Sequence, residues 1–351
     1  MPARSHAPDP DSSSASPRRR RGSGGFTLRD VARLAGVAPI TASRALNTPD
    51  AVSPAVLERV RAAVEQTGYI PNLLAGGLAS RKSRLVAAVV PTIAGPVFME
   101  TVQALTESLN QAGYQLMLGQ TGYDEAREEA LLEAIMGRRP DAIFMAGLVR
   151  SARGRRRLHA SGIPVVETWD LTPTPVDMLV GFSHEGIGAE VARYLHQRGR
   201  QQVAVICGSD ERAGRRSEAF LAEARRLGMG TRQPVQVPAP TTLASGREAL
   251  AKLLARSKRV DAVFCSSDEL ALGVLIEARV RGIRIPQQLA VVGFGDLRYA
   301  ASLDPALTTV RIDGTRIGQL AAQFIIQRME GSEPAPAVLD VGFSIVTRGT
   351  V

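Results

Sequence analysis

The chain has 351 residues, of which 44% are hydrophobic and 22% are charged, enough for two or three globular units with their own cores. Two cysteines cannot form a disulfide scaffold, no apolar run reaches the roughly 18 residues of a membrane helix, and the N-terminus lacks the apolar segment of a secretory signal. These features argue against a membrane protein, a secreted disulfide-rich module and an exported binding protein, and they favour a cytoplasmic location.

The excess positive charge is concentrated near the N-terminus. Of the formal net charge of +9, residues 1–25 carry +3 and residues 26–84 carry +4, which leaves +2 for the rest of the chain. Such a distribution is typical of a polyanion-binding end on a nearly neutral body. Residues 1–25 are rich in Pro, Ser, Gly and Arg and are predicted to be a disordered basic tail, which either attracts phosphates without specificity or is simply solvated.

Residues 26–70 are predicted to form three short helices. Apolar positions recur at the spacing of one helix face, Gly36 then ends the first helix, and Pro39 is well placed as the first residue of the second. A third helix is predicted from the Ser53–Pro54 pair to Gly68. Three short helices with a four-residue turn between the first two indicate a helix-turn-helix domain, a unit that binds DNA.

The remainder is predicted to be an α/β core behind a linker at residues 71–84. Continuous apolar runs, such as LVAAVVP and LAVVGFG, alternate with helical stretches across residues 85–351. Near-unbroken apolar strands of this kind indicate parallel sheets covered on both faces. A second series begins near residue 182, so we expect two doubly wound parallel-sheet subdomains with a ligand cleft between them, outside the carboxyl ends of the strands.

Motifs at both ends of the chain resemble the LacI family of bacterial transcription regulators. The resemblance to that family's headpiece and hinge lies in FTLRDVARLAGVAPITASRALN, VSPAVLERVRAAVEQTGYIPN and GLASRKS. The resemblance to its core lies in DELALGVLIEARVRGIRIPQQLAVVGFGDL and LDPALTTVRIDGTRIGQLA. Within the family, IPVVETWDLTPTPVDMLVGFSH and LDVGFSIVTRGTV are most similar to the gluconate and ketogluconate repressors. The resemblance implies a periplasmic-binding-protein-like core, a homodimer and an operator with two half-sites.

This resemblance places DNA contacts on and around the second helix. By the family motif, Pro39, Ile40 and Arg44 read base edges, where arginine can donate two hydrogen bonds to guanine and isoleucine can only make apolar contact. Five further residues of this domain are candidate phosphate contacts: Thr27, Thr41, Ser43, Asn47 and Ser53. Tyr69, the tyrosine of YIPN, is a further candidate for DNA contact. Thr27 and Ser53 could equally serve only as helix caps.

The linker resembles the family segment that folds into a helix on operator DNA and enters the minor groove. Leu78 falls at the wedge position, with Ala75 on the same helical face and Asn72 at the start of the segment. Two glycines between them cost roughly 1 kcal/mol each relative to alanine in a helix. We therefore expect the segment to fold only on binding DNA, with a plain flexible linker as the alternative.

The resemblance also places an effector site in the cleft. Arg216, in RRSEAF, matches a family arginine that binds hydroxyls or a carboxylate, and Ser267 and Asp268 match the N-D-x-x-A-x-G motif with serine in place of asparagine. Gly295 stands where sugar-binding members carry an acidic residue. Because the site retains Arg216 and lacks the carboxylate that would repel an anion, we expect the effector to be an anion, specifically a sugar acid. The other candidates are the aromatic residues Phe98, Trp169, Phe182 and Phe294 and the acidic residue Glu167. The aromatic residues could instead belong to the core, and Glu167 could be an ordinary loop acid.

Enzymatic functions find no support. The sequence has no phosphate loop, no dinucleotide fingerprint and no catalytic triad pattern, and its four histidines lack metal-ligand spacing, so no cofactor and no metal are expected. We interpret the chain as a repressor of sugar-acid uptake or catabolism genes that an effector releases from DNA. Two alternatives remain open, a ligand-sensing module without operator affinity and a regulator that responds to a neutral sugar.

Overall fold

A computed structural model of the chain describes residues 26–70, 83–256 and 259–351. They form two compact units, the N-terminal helical domain and the region from residue 83 onward. The predicted basic tail and the linker candidates Asn72, Ala75 and Leu78 lie outside the described residues. Within the described ranges, no helix is both long enough and apolar enough to span a bilayer.

Three helices form the first unit: α1 (Leu28–Leu34), α2 (Pro39–Asn47) and α3 (Pro54–Thr67). At the start of α1, the Asp30 carboxylate accepts hydrogen bonds from the backbone N–H and the hydroxyl of Thr27, at 3.0 and 2.7 Å. At the end of α3, Gly68 has a φ of +64°, the left-handed conformation that stops a helix. Small apolar side chains from all three helices form the core, which confirms the predicted helix-turn-helix domain.

The first subdomain of the second unit contains a parallel six-stranded sheet. Its strands are β1 (Leu85–Val90), β2 (Gln115–Gln120), β3 (Ala142–Met145), β4 (Val165–Thr168), β5 (Met178–Gly181) and β12 (Val338–Asp340), in the spatial order β12-β5-β4-β3-β1-β2. Helices α4 (Met99–Gln111) and α11 (Gly314–Met329) cover one face, and α5 (Glu125–Met136) and α6 (Ala152–Ser161) cover the other. Alternate residues of β1 enter the two core layers, as expected for a sheet buried on both sides.

The second subdomain contains seven strands. They are β6 (Gln202–Gly208), β7 (Gly230–Thr231), β8 (Val235–Val237), β9 (Ala262–Cys265), β10 (Ala290–Phe294), β11 (Thr308–Arg311) and β13 (Ser344–Val346), in the order β13-β11-β10-β9-β6-β7, with β8 also paired to β6. Helices α7 (His184–Gln197) and α8 (Glu211–Arg226) cover one face, and α9 (Leu243–Arg256) and α10 (Asp268–Val280) cover the other. The doubly wound α/β architecture is confirmed, although β13 pairs antiparallel with β11.

The chain crosses between the subdomains three times. The predicted change of series near residue 182 is the first crossing, after β5. The chain returns after β11, so that α11 packs on α4 and β12 pairs with β5, and it then crosses back to β13. The sequence analysis missed this return because β12 is a three-residue, largely exposed edge strand without a continuous apolar run.

Close contact between α7 and α8 supports a stability prediction. A Cβ atom at Gly188 would lie 2.2 Å from the backbone oxygen of Arg216, and a backbone atom cannot yield as a flexible side chain can. We expect Gly188→Ala to destabilise the protein by about 1–3 kcal/mol. The matched change Gly214→Ala on α8, where an added Cβ would meet nothing within 4 Å beyond the neighbouring backbone of its own helix, should be neutral or stabilising by about 0.4–1 kcal/mol. Thermal unfolding of the two variants measures the difference, and equal melting temperatures would contradict the close packing.

Candidate DNA-binding and effector sites

The second helix of the headpiece presents its predicted reading residues to solvent. Ile40 is 62% exposed, and Pro39 and Arg44 are also exposed, whereas Ala42 and Ala45 face the core. The exposed side chains lie in the N-terminal and middle turns of α2, the part of a recognition helix that meets base edges in the major groove. This geometry suits base readout by Arg44, and its role stays a prediction.

The other headpiece candidates have mixed surroundings. The Asn47 amide nitrogen donates to the backbone oxygen and hydroxyl of Ser43, at 3.0 and 3.2 Å, so these two candidates are tied together. Thr27 is held by Asp30, and Ser53 is the exposed residue before α3. Thr41 is half-buried in α2, and Tyr69 is half-buried against the headpiece core. Contacts with phosphates stay predictions for all of them.

A cavity of about 90 Å³ lies between the two subdomains at the carboxyl ends of their strands. Its first-subdomain wall includes Phe98, which directly precedes α4, and Tyr123 and Trp169, which follow β2 and β4. Its second-subdomain wall contains charged, polar and aromatic side chains that include His184, Asp210, Arg212, Arg216, Thr241, Ser266, Ser267, Glu269 and Phe294. This is where an open α/β sheet is expected to bind a ligand.

Five of the eight predicted effector residues line this cavity: Phe98, Trp169, Arg216, Ser267 and Phe294. The structure places the other three behind its walls. Both carboxylate oxygens of Glu167 accept backbone N–H groups, from Val149 and Val176, at 2.7 Å each. Asp268 accepts the Leu297 N–H at 2.7 Å and the Thr309 hydroxyl at 2.5 Å. The ring of Phe182 supports the rings of Trp169 and His184 edge-on. Through these hydrogen bonds, the carboxylates of Glu167 and Asp268 hold neighbouring loops in place.

The guanidinium of Arg216 lies in the cavity wall and is buried. It stacks over the Phe294 ring at 4.0 Å, its Nη1 contacts His184 Nδ1 at 2.9 Å, and its Nη2 donates to the Ser266 carbonyl oxygen at 3.3 Å. Among the described residues, its Nε has no hydrogen-bond partner. Burial lowers the pKa of Arg216 to about 10, so the group stays protonated at neutral pH. A buried cation whose direct partners are a neutral ring and a carbonyl is poised to accept an anion.

His184 holds Arg216 from the side of the α7 N-terminus. Its Nε2 lies 3.0 Å from the Trp169 carbonyl oxygen, and because a guanidinium only donates, Nδ1 must accept. The imidazole is therefore neutral with its proton on Nε2. Burial, followed by the positive charges of Arg216 and Arg212, lowers the pKa of His184 well below its usual value.

Several cavity residues were not predicted from the sequence, among them Tyr123, Asp210 and Arg212, and His184 was considered there only as one of four histidines without metal-ligand spacing. Asp210 lies two residues after the end of β6 and Arg212 lies in the first turn of α8, so their position after a strand was the available signal. Arg212 Nη1 donates to the Ala146 carbonyl of the first subdomain at 3.3 Å. These residues extend the charged wall beyond Arg216 and reach across the cleft.

The backbone conformation of Gly295, which follows the cavity residue Phe294, explains why this position carries no side chain. Gly295 has a φ of +126°, a conformation that side-chain-bearing residues rarely adopt. An acidic residue at this position would therefore be strained in the present loop. The backbone geometry agrees with the predicted loss of a carboxylate that would repel an anion.

Asp268 provides a pH-dependent test of the loop that it holds. Burial raises the pKa of Asp268 from 3.8 to about 6, so the folded protein binds a proton more tightly than the unfolded chain does. Stability contributed by this group is therefore greatest below pH 4 and is lost as the pH rises to 6, by about 3 kcal/mol. We expect the free energy of unfolding of the wild type to fall by about 2 kcal/mol relative to Asp268→Asn between pH 4 and pH 7, because the unfolded carboxyl is already largely ionised at pH 4. Denaturant titrations of both proteins measure it, and parallel pH profiles would contradict the assignment.

A helix-turn-helix domain followed by a two-subdomain core with a cavity at its strand ends defines a ligand-responsive DNA-binding regulator. The comparisons agree, because residues 27–72 match bacterial regulatory proteins of the lacI family and residues 192–351 match a periplasmic binding protein-like domain. The HTH-type transcriptional regulator GntR of Pseudomonas aeruginosa is 36% identical over 330 residues, which cover 93% of this chain and 96% of that one. The chain therefore belongs to the LacI family of bacterial transcription regulators.

Solved structures support the same family. A LacI-family regulator from Silicibacter pomeroyi matches with a TM-score of 0.87 and 33% identity, covering 93% of this chain and 99% of that one. The transcription regulator GntR from Chromobacterium violaceum matches with a TM-score of 0.72 and 34% identity, covering 76% and 98%. The relatives of this chain are DNA-binding transcription regulators and not enzymes. The alternative of a ligand-sensing module without operator affinity is therefore disfavoured.

Proposed function

We propose that this protein is a homodimeric, cytoplasmic repressor that a sugar acid of the gluconate type releases from operator DNA. The observation that carries the effector assignment is Arg216, a buried guanidinium in the cavity wall whose direct partners include no carboxylate. A carboxylate ligand can form a two-point ion pair with such a group and offset the cost of burying its charge. A neutral sugar cannot form this ion pair, so the cost of burying the Arg216 charge would not be offset.

The rest of the wall suits a polyhydroxylated acid rather than a simple anion. Asp210 and Glu269 also line the cavity, and their carboxylates can accept hydrogen bonds from ligand hydroxyls. Phe98 and Trp169 offer apolar faces, with their rings packed edge to face 5.0 Å apart. The resemblance of the sequence to the gluconate and ketogluconate repressors favours the same chemical class.

The dimer is inferred from symmetry and from exposed apolar side chains. An operator with two half-sites requires two headpieces. In the first subdomain, Ile93, Met99 and Leu118 are between 44% and 57% exposed, and Leu118 lies on the edge strand β2. We assign dimerisation and effector binding to residues 85–351, operator binding to residues 26–70, and the DNA-induced hinge to residues 71–84. Sedimentation of the purified protein tests the dimer, and a monomer at micromolar concentration would contradict it.

Direct titration tests the effector assignment. Trp169 is the single tryptophan of the chain and lies in the cavity wall, so its emission reports occupancy. Purified protein is titrated with gluconate, with 2-ketogluconate and with the neutral compounds glucitol and glucose, and calorimetry confirms each result. We expect saturable binding of at least one of the two acids and none of the neutral compounds. Binding of glucose or glucitol alone would overturn the sugar-acid assignment and leave the regulator intact.

A further inference from the structure

His184 makes one hydrogen bond in each subdomain. Trp169, whose carbonyl accepts from Nε2 at 3.0 Å, follows β4 in the first subdomain. Arg216, whose Nη1 donates to Nδ1 at 2.9 Å, belongs to α8 in the second subdomain. His184 itself is the first residue of α7, just after the first crossing between the subdomains. The imidazole therefore bridges the cavity arginine and the opposite half of the core.

The chemistry of the two contacts requires a histidine that is neutral and fixed in orientation. A carbonyl oxygen only accepts and a guanidinium only donates, so one ring must offer a donor at Nε2 and an acceptor at Nδ1. His184 is 1% exposed, and the Phe182 ring packs against it at a centroid distance of 5.0 Å. The ring therefore cannot turn toward water without losing both partners.

The Trp169 end of this bridge is held in an uncommon backbone conformation. Trp169 has a φ of +62°, which is sparsely populated for residues with side chains and persists where surrounding contacts hold it. Its indole Nε1 donates to the Thr101 hydroxyl on α4 at 3.1 Å. A displacement of the Trp169 carbonyl would therefore be transmitted to α4, one of the helices that cover the first sheet.

We propose that His184 is the connector through which effector occupancy at Arg216 is transmitted to the first subdomain. The proposal rests on the proposed function, because it takes Arg216 as the group that binds the effector carboxylate. An anion that attracts the guanidinium shifts Nη1, and the Nδ1 contact passes that shift through the rigid ring to the Trp169 carbonyl. His184 is a positioning residue in this scheme, since it acts through Arg216.

Two substitutions separate the two ends of the bridge. In His184→Asn, the amide oxygen can occupy the place of Nδ1 and accept from Arg216, but the side chain is too short to reach Trp169. In His184→Gln, the amide nitrogen can occupy the place of Nε2 and donate to Trp169, while Arg216 loses its acceptor. The matched control is His159→Asn, at an exposed position of α6. Thermal unfolding verifies that each variant is folded, and either His184 variant alone tests one end of the bridge.

The measurements are the gluconate Kd by calorimetry and the factor by which saturating gluconate weakens operator binding. For His184→Asn we expect a gluconate Kd within about threefold of wild type and a release factor reduced at least fivefold. For His184→Gln we expect a Kd about tenfold weaker, because the guanidinium has lost a charge-assisted hydrogen bond. His159→Asn should match the wild type in both measurements.

The possible results distinguish this inference from the function on which it rests. An Asn variant with the full release factor, or a Gln variant that binds gluconate like wild type, overturns the connector while the effector assignment stands. A wild-type protein that binds neither gluconate nor 2-ketogluconate, and that releases DNA with neither acid, overturns both. Normal binding with lost release in His184→Asn, together with weak binding in His184→Gln, supports the connector, because general damage to the fold would not separate the two measurements.

Discussion

An Arg216→Ala variant should lose gluconate binding by roughly 100-fold or more and should still bind operator DNA. Removing one partner of a buried, hydrogen-bonded charge pair costs about 3 kcal/mol or more, which corresponds to that loss in affinity. The apo protein should tolerate the change, because the buried guanidinium has no carboxylate partner to leave behind. Calorimetry with gluconate measures the affinity, and fluorescence anisotropy with labelled operator measures DNA binding.

The control for this prediction is Arg225→Ala, which removes an exposed arginine from the same helix. It lowers the net charge by the same amount, so any difference between the variants reports the cavity rather than long-range electrostatics. We expect Arg225→Ala to bind gluconate like wild type. If Arg216→Ala binds gluconate with unchanged affinity, the carboxylate does not pair with this arginine and the anionic cavity is wrong.

An Arg44→Ala variant should lose the preference for operator over scrambled DNA and keep salt-sensitive background binding. A two-point arginine–guanine contact contributes about 1–3 kcal/mol of discrimination, and a dimer would lose two such contacts. Background affinity comes mainly from phosphate contacts and falls steeply with salt, so it should persist. Anisotropy titrations with both duplexes, at two salt concentrations, measure the two contributions separately.

The matched control here is Arg61→Ala, an exposed arginine on α3 outside the predicted reading face. It should lower affinity for both duplexes by a similar factor, or leave both unchanged, and so preserve their ratio. Retention of the full operator preference by Arg44→Ala would contradict the assignment of α2 as the recognition helix.

The fold could be predicted largely from local patterns. Capping by Thr27, the proline that opens α2 and the glycine that ends α3 all depend on residues within one turn of a helix boundary, so the sequence shows them directly. The return of α11 and β12 to the first subdomain could not be predicted in this way. It depends on pairing across about 160 residues between Val338 and Leu179, at strands too short to show a pattern.

The cavity was predicted only in part, for a related reason. Arg216 and Ser267 were found through family motifs, and both line it. Glu167 was a candidate whose alternative was an ordinary loop acid, and its carboxylate is occupied by two backbone amides, which depends on loops distant in sequence. His184 was overlooked because its significance comes from the Trp169 carbonyl and the Arg216 guanidinium, 15 and 32 residues away. Contacts between distant segments decide which polar groups face a ligand, and no local pattern encodes them.

Release of operator DNA by a sugar acid is the decisive measurement for this protein. Full-length protein is bound to labelled operator DNA, and gluconate, 2-ketogluconate and glucitol are each added to saturation while anisotropy is followed. We expect that at least one of the acids weakens operator binding about fivefold or more, that glucitol has no effect, and that Arg216→Ala responds to neither acid. Release by glucitol, or an unchanged response in Arg216→Ala, would contradict this expectation.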